Sequence, residues 1–365
     1  MRSCHPDEQP AAGSSPIRSL SVVIACRNAE PTIAACVEAL LNQRPGAARC
    51  EIVVVDNGST DRSCEILSRF RESVRLLPFA GRNISAARNH GVAHSTGEWL
   101  AFVDADVEVD RGWLNQIERA VSRFRERYGD ASRVVTGSTY RIPAHPTWVE
   151  RVWFGQLKAR DRGRTTYING GNLILSRSLF EEVGGFDPGC TTGEDTKLCE
   201  EARACGAKIV KDDRIRTVHH GYPKNVSSFF KRERWHGLGM VRAFRRPWRS
   251  RDLCLAVYDV AGVAFALVLL LVTWNVLLAL LLMVALPVIP ALLMALRRGR
   301  GKMRETLLLA WLYCVYSAAR VLSLVDLVRA GRGGGAHQRS RAQSAEAAGF
   351  PRLPRTRSGV RGNEG

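Results

Sequence analysis

Two aspartates separated by one residue are the first candidates for chemistry in this chain. Asp104 and Asp106 follow the apolar run 100–103, which predicts a buried strand, so both carboxylates lie on one face of it. Carboxylates that close raise each other's pKa unless a cation lies between them. At the carboxyl end of a parallel strand, where open α/β sheets bind ligands, the pair favours Mg²⁺ or Mn²⁺ held with a phosphate. An isolated pair also occurs as an acidic turn before a helix, so the other motifs must decide.

A second acidic pair, Glu194 and Asp195, precedes a helical pattern over residues 196–205. The helix dipole alone favours carboxylates there, whereas the functional interpretation is a general base at the rim of the same cleft. Gly170 and Gly171 stand just before an apolar strand. Paired glycines let the backbone approach a ligand closely, although an ordinary turn uses them equally.

The elements that must position these groups alternate between strands and helices. Runs of Val and Ile separated by helix-length segments indicate a parallel sheet covered on both faces. The predicted strands cover residues 21–26, 51–56, 74–77, 100–103, 134–140 and 209–218. The predicted helices include residues 33–42, 84–94 and 113–128. The chain lacks G-x-G-x-x-G after its first strand and lacks the P-loop motif, which argues against dehydrogenase and P-loop folds and leaves phosphate binding to a metal.

Length, charge and cysteine content limit the class of protein. The chain has 365 residues, enough for two domains, and a net charge of +18, which suits nucleic acid or an anionic membrane surface. Its ten cysteines form no C-x-x-C pair, as in reduced cytosolic proteins. Residues 1–18 are polar, predict a disordered leader and lack the apolar core of a signal peptide. We therefore expect the catalytic part to stay in the cytoplasm.

The C-terminal part predicts a transmembrane hairpin over residues 252–297. Residues 253–296 contain a single charged side chain, Asp259. As one helix they would be about 66 Å long, more than twice a ~30 Å hydrocarbon core, so two spans turning near Thr273 to Asn275 fit better. Basic residues flank both ends, which predicts that both face the cytoplasm. They are Arg242, Arg245, Arg246, Arg249, Arg251, Arg297, Arg298, Arg300, Lys302 and Arg304.

Residues 304–329 are apolar and aromatic but contain Arg320 and Asp326. A third span here would carry the Arg-rich tail, residues 330–365, to the outside, against the positive-inside trend. We therefore expect a helix lying in the membrane interface rather than a third span, followed by a disordered tail. Anionic lipid then accounts for much of the positive charge, and nucleic acid is not an expected partner.

With these motifs in order, residues 19–240 resemble the membrane-associated glycosyltransferases of family 2, which have the GT-A fold, a Rossmann-like mixed α/β sheet. Each motif alone is weak, but the ordered set is specific. The motifs are residues 21–24 with Asn28 and Glu30, residues 55–61, Ala87-Arg88-Asn89 with Gly91, Gly97-Glu98-Trp99 leading to Asp104 and Asp106, Gly170-Gly171-Asn172, Gly185-Phe186-Asp187, and Glu194-Asp195.

The resemblance implies a role for each matching position. The nucleotide-sugar donor would contact Ala25, Asn28, Glu30, Asp56, Arg88 and Asp104. Mn²⁺ or Mg²⁺ would bind Asp104 and Asp106, together with His219 or His220. Asp195, beside Glu194, would be the catalytic base. The acceptor would contact Gly170, Gly171, Arg234 and Trp235, the last two of which could instead pack on a membrane-side helix.

Two departures from the family pattern bear on the reaction. Processive members carry Gln or Arg, two residues, then Arg-Trp, whereas this chain has Lys231 before Arg234 and Trp235. With about two spans after the globular part, a polymer channel is not expected, so the resemblance implies a single addition. Asp56 is followed by Asn57 rather than by the frequent second Asp, which leaves the donor-binding carboxylate in place.

The sequence thus predicts an inverting, metal-dependent glycosyltransferase at the cytoplasmic face of the inner membrane. It would move a sugar from a UDP- or GDP-sugar to a hydroxyl or phosphate of a lipid-linked acceptor such as a polyisoprenyl phosphate. The alternatives are a non-catalytic nucleotide-sugar-binding membrane protein, a processive polysaccharide synthase and a nucleic-acid-binding module. A nucleotidyltransferase should carry a glycine-rich basic loop after the first strand, and residues 25–31 do not.

Overall fold

A computed structural model of the protein describes residues 17–43, 48–81, 83–155, 163–190, 192–238, 251–298 and 302–333. Most of the leader, the tail from residue 334 and the basic residues Arg242, Arg245, Arg246, Arg249 and Arg300 lie outside the described residues. The predictions made for those segments therefore stay predictions.

The globular part is built on an eight-stranded sheet in the order β3-β2-β1-β4-β8-β6-β9-β7, with a two-stranded sheet, β5 and β10, at its side. The strands are β1 Ser19–Cys26, β2 Arg49–Asp56, β3 Arg75–Pro78, β4 Trp99–Asp104, β5 Val107–Val109, β6 Val134–Gly137, β7 Gly163–Arg164, β8 Asn172–Ser176, β9 Lys208–Lys211 and β10 Thr217–His219. The helices are α1 Ile33–Leu41, α2 Ser63–Ser68, α3 Ile84–Ala93, α4 Trp113–Tyr128, α5 Arg177–Glu182, α6 Glu194–Ala204, α7 Val226–Gly237, α8 Arg251–Thr273, α9 Val276–Arg298 and α10 Met303–Gly333.

Strands β1 to β4 are parallel, as the Val/Ile runs predict, and both faces of the sheet are buried. Val22 and Ile24 of β1 belong to the same core as α1 and α4, whereas Val23 points to the other face. On that face Gly91 of α3 allows close packing, since a Cβ there would lie 2.5 Å from a methyl carbon of Val23. The sheet is therefore a fully covered middle layer, which accounts for the absence of polar alternation in its strands.

Strand β8 runs antiparallel to β4, and this makes the sheet mixed, as the GT-A resemblance implies. Val103 pairs with Asn172, so the start of β8 lies beside the end of β4. The chain segment just before β8, with Gly170 and Gly171, is thereby brought to Asp104. Antiparallel pairing at this point is what joins the second half of the globular part to the first.

The strand expected over residues 209–218 is wrong as one element. It forms β9 in the large sheet and β10 in the small one, because a turn at Asp212 separates them. The Asp212 carboxylate accepts from the Arg214 backbone amide at 3.2 Å and pairs with the Arg214 and Arg123 guanidinium groups. The strand expected to reach Tyr140 ends at Gly137, whose φ of 154° is outside the usual range for other residues.

Three helices follow that are long and apolar enough to cross a membrane: Leu253–Thr273, Val276–Arg298 and Met303–Asp326. Their mean hydropathies are 2.5, 2.9 and 1.7. Helices α8 and α9 are separated only by Trp274 and Asn275, which is the turn expected from the sequence. The Asn275 side chain accepts from the Leu278 amide and begins α9.

Helix α10 packs on the catalytic domain as well as on the hairpin. Two ion pairs join it to α7: Arg234 makes a bidentate bond to Asp326, with both distances 2.7 Å, and Arg320 donates to Glu233 at 2.8 Å. Arg234 therefore packs on a membrane-side helix, the second of the two positions that the sequence left open. Arg320 and Glu233 are both buried.

We predict that Glu233→Gln destabilises the protein, because it removes the negative charge that lies 2.8 Å from the buried Arg320 guanidinium. Breaking such a pair costs about 3–5 kcal/mol. Thermal unfolding of the purified, detergent-solubilised protein measures the change. The double variant Glu233→Met with Arg320→Met is the control, since replacing both charges by apolar groups is often neutral. A midpoint for Glu233→Gln equal to that of the unchanged protein would contradict the prediction.

Candidate active site

The cleft forms where three neighbouring strands end at the same edge of the sheet. Cys26, the last residue of β1, pairs with Asp56 of β2, and Ala25 pairs with Asp104 of β4. Asp56 is buried and accepts weakly from the Ser59 amide at 3.3 and 3.4 Å. The strand ends thus bring the carboxylates of two sequence motifs to one edge, where open α/β sheets bind ligands.

Asp104, Asp106 and His219 form a cluster that could hold a metal ion. One ligand atom of each lies within 4.8 Å of the others. Asp106 follows β4 in the turn to β5, and His219 reaches it because β10 pairs with β5 in register with Val107. The Asp106 Oδ1 and His219 Nε2 atoms are 3.5 Å apart.

The electrostatics of this cluster fit a cation. Burial, then the Asp104 charge, raises the pKa of Asp106 to about 7, and the Arg232 charge opposes this rise. Burial lowers the pKa of His219 to about 3, so its imidazole is neutral and able to ligate. Asp106 Oδ1 and His219 Nδ1 are buried without a hydrogen-bond partner among the described residues. Two carboxylates and a neutral imidazole are a donor set that suits Mn²⁺ or Mg²⁺.

Of the two histidines that the sequence left open, His219 is the one in the cluster. Its ring packs between Tyr140 and Tyr222, with centroids 4.9 and 4.3 Å away. His220 points away, and its Nε2 lies 2.9 Å from Glu108 Oε2. Strand β10 ends at His219, and the side chain of the next residue, His220, is directed to Glu108 and not to Asp106.

Arg88 connects the two acidic sites. It is 1% exposed, and its guanidinium donates to Asp104 at 2.6 Å and to Glu194 at 2.8 Å while lying over the Phe186 ring. The resemblance implied a donor contact for Arg88. In the described residues its hydrogen bonds go to these two carboxylates, so it fixes the distance between the sites, and its contact with a donor stays a prediction.

Gly170 and Gly171 complete the connection through their backbone amides. The Gly170 amide donates to Asp195 Oδ2 at 3.0 Å, and the Gly171 amide donates to the Tyr140 hydroxyl at 2.7 Å. A Cβ at Gly171 would lie 2.3 Å from Asp104 Oδ2. The close approach expected for these glycines is therefore to the site's own side chains; their acceptor contact stays a prediction.

Asp195 stands at the start of α6 with a partly exposed side chain. Burial and the neighbouring Glu194 raise its pKa to about 6, against the lowering effect of Arg88 and of two backbone amides, those of Thr196 and Gly170. A carboxylate with a pKa near neutrality that still reaches the cleft is suited to accept a proton. Glu194, in contrast, is held by Arg88.

The loop after β1, assigned to the donor, is fixed by the loop after β2. The Asn28 side chain accepts from the Thr60 amide at 2.8 Å, and the Glu30 side chain accepts from the Arg62 amide at 3.2 Å. Asn28 has a φ of 51°, a left-handed conformation that Asn tolerates. These two side chains therefore shape the rim next to Asp56, and their contact with a donor stays a prediction.

Two site residues, Tyr140 and Arg232, were missed in the sequence. Tyr140 lies between the Gly171 amide and Asp104, and Arg232 of α7 lies near Asp106, whose pKa its charge lowers. Tyr140 stands in no motif, and Arg232 is one of the two variable residues between Lys231 and the Arg-Trp pair. Only the folded cleft distinguishes Arg232 from its neighbours. Trp235, predicted to lie near the acceptor, is 47% exposed on α7.

A family model matches part of the chain. The model described as glycosyl transferase family 2 matches residues 21–184, which include most of β1, the Asp104–Asp106 pair and both glycines. The match covers less than half of the 365 residues. It confirms the motif-based resemblance over these residues, which are similar to the family 2 glycosyltransferases.

Relatives of this chain match over different lengths. It is 26% identical over 258 residues to the glycosyltransferase AglE of Haloferax volcanii. The aligned region covers 68% of this chain and 82% of AglE. It is 44% identical over 93 residues to the uncharacterized glycosyltransferase YibD of Escherichia coli. That aligned region covers 25% of this chain and 26% of YibD.

The GT-A fold is confirmed by a solved structure. A mannosyltransferase from Pyrobaculum calidifontis, solved in complex with GDP-Man and Mn²⁺, superimposes with a TM-score of 0.53 and 19% identity. The match covers 87% of this chain and 91% of the mannosyltransferase. At that identity the likeness concerns the fold alone. In this chain the sheet is followed by three apolar helices, which suggest membrane association.

Proposed function

We propose that this protein is a metal-dependent, inverting glycosyltransferase, which moves a sugar from a nucleotide-diphospho-sugar to a lipid-linked acceptor. One observation carries the proposal: Arg88 bonds to both Asp104 and Glu194. The proposed metal cluster and Asp195, the neighbour of Glu194 whose pKa is raised, therefore border one cleft. The two groups that the reaction needs are thereby held side by side.

The ligands proposed for the metal are Asp104, Asp106 and His219, with Mn²⁺ or Mg²⁺ as the ion. The ion, when bound, supplies positive charge to the diphosphate that leaves. The related mannosyltransferase was solved with GDP-Man and Mn²⁺, which supports a nucleotide-diphospho-sugar and a divalent ion here. Asp56 and the loop at Asn28 are proposed to bind the nucleoside, as the family resemblance implies.

The chemistry proposed for the protein's own groups is a single displacement. Asp195 accepts the proton of the acceptor hydroxyl while that oxygen attacks the anomeric carbon from the side opposite the diphosphate, which inverts the configuration. The Gly170 amide, which donates to Asp195 Oδ2, holds the carboxylate in orientation. A phosphate acceptor would already be ionised and would need little help from this base. Holding donor and acceptor in one cleft supplies much of the rate increase.

The acceptor is proposed to come from the membrane because the helices that carry apolar surface adjoin the catalytic domain. Val149, Val152 and Phe229 of that domain share one hydrophobic cluster with α9 and α10. Arg297, Arg298, Lys302 and Arg304 follow the hairpin and favour a cytoplasmic catalytic domain at the inner membrane. A polyisoprenyl phosphate or a lipid-linked saccharide would reach the cleft from that side.

We propose further that α10 lies in the membrane interface and that α8 and α9 alone span. Its partners in the hairpin include Ala291 and Ala295 near the end of α9, and Asp259 near the start of α8, to which Ser317 donates a hydrogen bond. Its charged residues Arg320 and Asp326 pair with α7 of the catalytic domain. With two spans and Lys231 in the processive motif, a single addition is the proposed outcome.

The lipid assignment is tested by incubating the purified enzyme and Mn²⁺ with radiolabelled UDP-, GDP- and TDP-sugars and either a lipid extract or a polyisoprenyl phosphate. We expect label in the organic phase with one donor, and none with enzyme carrying Asp106→Asn, which controls for contaminating transferases. Label found only in water-soluble products would overturn the lipid acceptor and leave the glycosyltransferase assignment intact.

A further inference from the structure

Arg232 is a positive group beside the proposed metal cluster that the mechanism above does not use. It lies on α7, and its charge lowers the pKa of both Asp106 and His219. Tyr222 connects the two places: its ring centroid is 4.3 Å from that of His219, and the Arg232 guanidinium carbon is 5.4 Å from the same ring. Arg232 therefore borders the side of the cleft where the diphosphate of a donor would meet the metal ligands.

The guanidinium is held flat by aromatic rings. Phe154 and Tyr222 stack with their centroids 3.9 Å apart and an interplanar angle of 18°, and the guanidinium carbon lies 5.1 Å from the Phe154 centroid. Stacking on aromatic faces keeps a guanidinium charged and leaves its edge free to donate hydrogen bonds. Phe154 and Tyr222 thus restrict the side chain without neutralising it.

One edge of the guanidinium is fixed and another lacks a partner. Its Nε donates to His236 Nε2 at 3.2 Å, and burial lowers the pKa of His236 to about 3, so that imidazole is neutral and accepts. The Nη1 atom of Arg232 is buried and has no hydrogen-bond partner in the described part of the chain. A buried charged donor without a partner is costly, which points to a ligand that arrives from outside the protein.

The helix that carries Arg232 is itself held in place. Asn225 caps its start in a capping box with Ser228, and Thr192 donates to the His236 carbonyl oxygen at 3.3 Å near its end. The next two residues after Arg232 form the ion pairs to α10 described above. A hydrogen-bond donor that is already held in position before the reaction stabilises developing charge without a cost of reorganisation.

We propose that Arg232 binds the diphosphate of the donor and neutralises the charge that appears on it during transfer. This inference rests on the proposed function. In the transfer step the bond from the anomeric carbon to the diphosphate oxygen breaks, and its electron pair stays on the diphosphate. The acceptor oxygen forms the new bond, and its proton passes to Asp195. A planar, permanently charged guanidinium matches the phosphate oxygens that gain this charge.

The test compares binding of nucleoside diphosphates and monophosphates. Calorimetric titration of the full-length enzyme with UDP, GDP, TDP and ADP in saturating Mn²⁺ identifies the base, and the matching monophosphate follows. We expect Arg232→Gln to weaken binding of the diphosphate about 10- to 100-fold, as for a lost hydrogen bond to a charged group, and that of the monophosphate less than about threefold. Arg232→Lys, which keeps the charge but not the planar fork, should retain part of the affinity.

Arg151→Gln is the matched control, because Arg151 is an exposed arginine on the turn that carries Phe154. Thermal unfolding and a titration with Mn²⁺ alone verify that the Arg232 variants are folded and bind metal. Equal losses for the diphosphate and the monophosphate, or no loss, would overturn the role of Arg232 while the proposed function survives. If the unchanged enzyme binds none of the four diphosphates, the nucleotide-diphospho-sugar donor class fails, and this inference fails with it.

Discussion

Asp106→Asn is expected to lower the rate of sugar transfer by about 10²- to 10³-fold, the loss typical of removing one group that stabilises charge in a transition state. The substitution keeps the shape of the side chain but removes the anionic ligand that lies 3.5 Å from His219 Nε2. Asp106→Ala, which removes the ligand altogether, should abolish transfer. Initial rates with the donor identified above, measured across a series of Mn²⁺ concentrations, provide the measurement.

Thermal unfolding distinguishes the loss of a metal ligand in Asp106→Asn from a loss of folding. The pKa of Asp106 is raised to about 7 by burial and by Asp104. A carboxyl whose pKa is higher in the folded than in the unfolded state destabilises the fold once the pH exceeds its unfolded value. Without metal at pH 8, Asp106→Asn should therefore unfold at the same temperature as the unchanged enzyme, or at a higher one. Mn²⁺ should raise the midpoint of the unchanged enzyme only, because only that enzyme binds the ion tightly.

Glu108→Gln is the matched control, since Glu108 lies two residues further on and pairs with His220 outside the cluster. It should keep both the activity and the stabilisation by Mn²⁺. An Asp106→Asn enzyme with a rate near that of the unchanged protein, or with an undiminished response to Mn²⁺, would contradict the metal role of Asp106.

The sequence predicted well what depends on local pattern. Helix α4 begins at Trp113 and ends at Tyr128 as its apolar spacing predicts, and the turn between α8 and α9 falls at Trp274 and Asn275. The apolar run 100–103 forms a strand that is buried on both faces, as a continuous apolar run predicts, and Asp104 follows it at the edge of the sheet. These features follow from periodicity and burial over ten to twenty residues.

What the sequence missed depends on contacts between distant segments. Arg88 matched a family motif, but its partners Asp104 and Glu194 lie 16 and 106 residues away, and no local signal predicts that it joins them. The choice between His219 and His220 required the pairing of β10 with β5. Arg234, assigned to the acceptor or to packing, is paired with Asp326, 92 residues further on. In each case a side chain's partner was set by topology.

Arg88 also relates the two halves of the site energetically. Its positive charge lowers the pKa of both Asp106 and Asp195, whereas burial raises these two pKa values. Arg88 therefore limits the rise of both pKa values and favours the ionised carboxylates. A cation bound at the cluster would add to this effect at Asp106, because opposite charge favours the ionised form. The proposed base and the proposed metal ligand Asp106 are thereby both influenced by the charge of one buried arginine.

Asp195→Asn is expected to lower kcat by about 10²- to 10⁴-fold with a hydroxyl acceptor, the range for loss of a general base, and to leave donor affinity within about threefold. An amide cannot take the acceptor proton, but it keeps the size of the side chain. Single-turnover rates and a donor titration give the two quantities. Glu200→Gln, a neighbouring carboxylate on α6, is the control and should change neither.

The pH profile tests the same role independently. Burial and Glu194 raise the pKa of Asp195 to about 6, so the base is protonated and inactive below that pH and ionised above it. Log kcat of the unchanged enzyme should therefore fall with unit slope as the pH drops below about 6, and Asp195→Asn should lose this limb of the profile. A rate for Asp195→Asn within threefold of the unchanged enzyme would contradict the base. It would indicate instead that the acceptor attacks as an oxygen already ionised, as a lipid phosphate does.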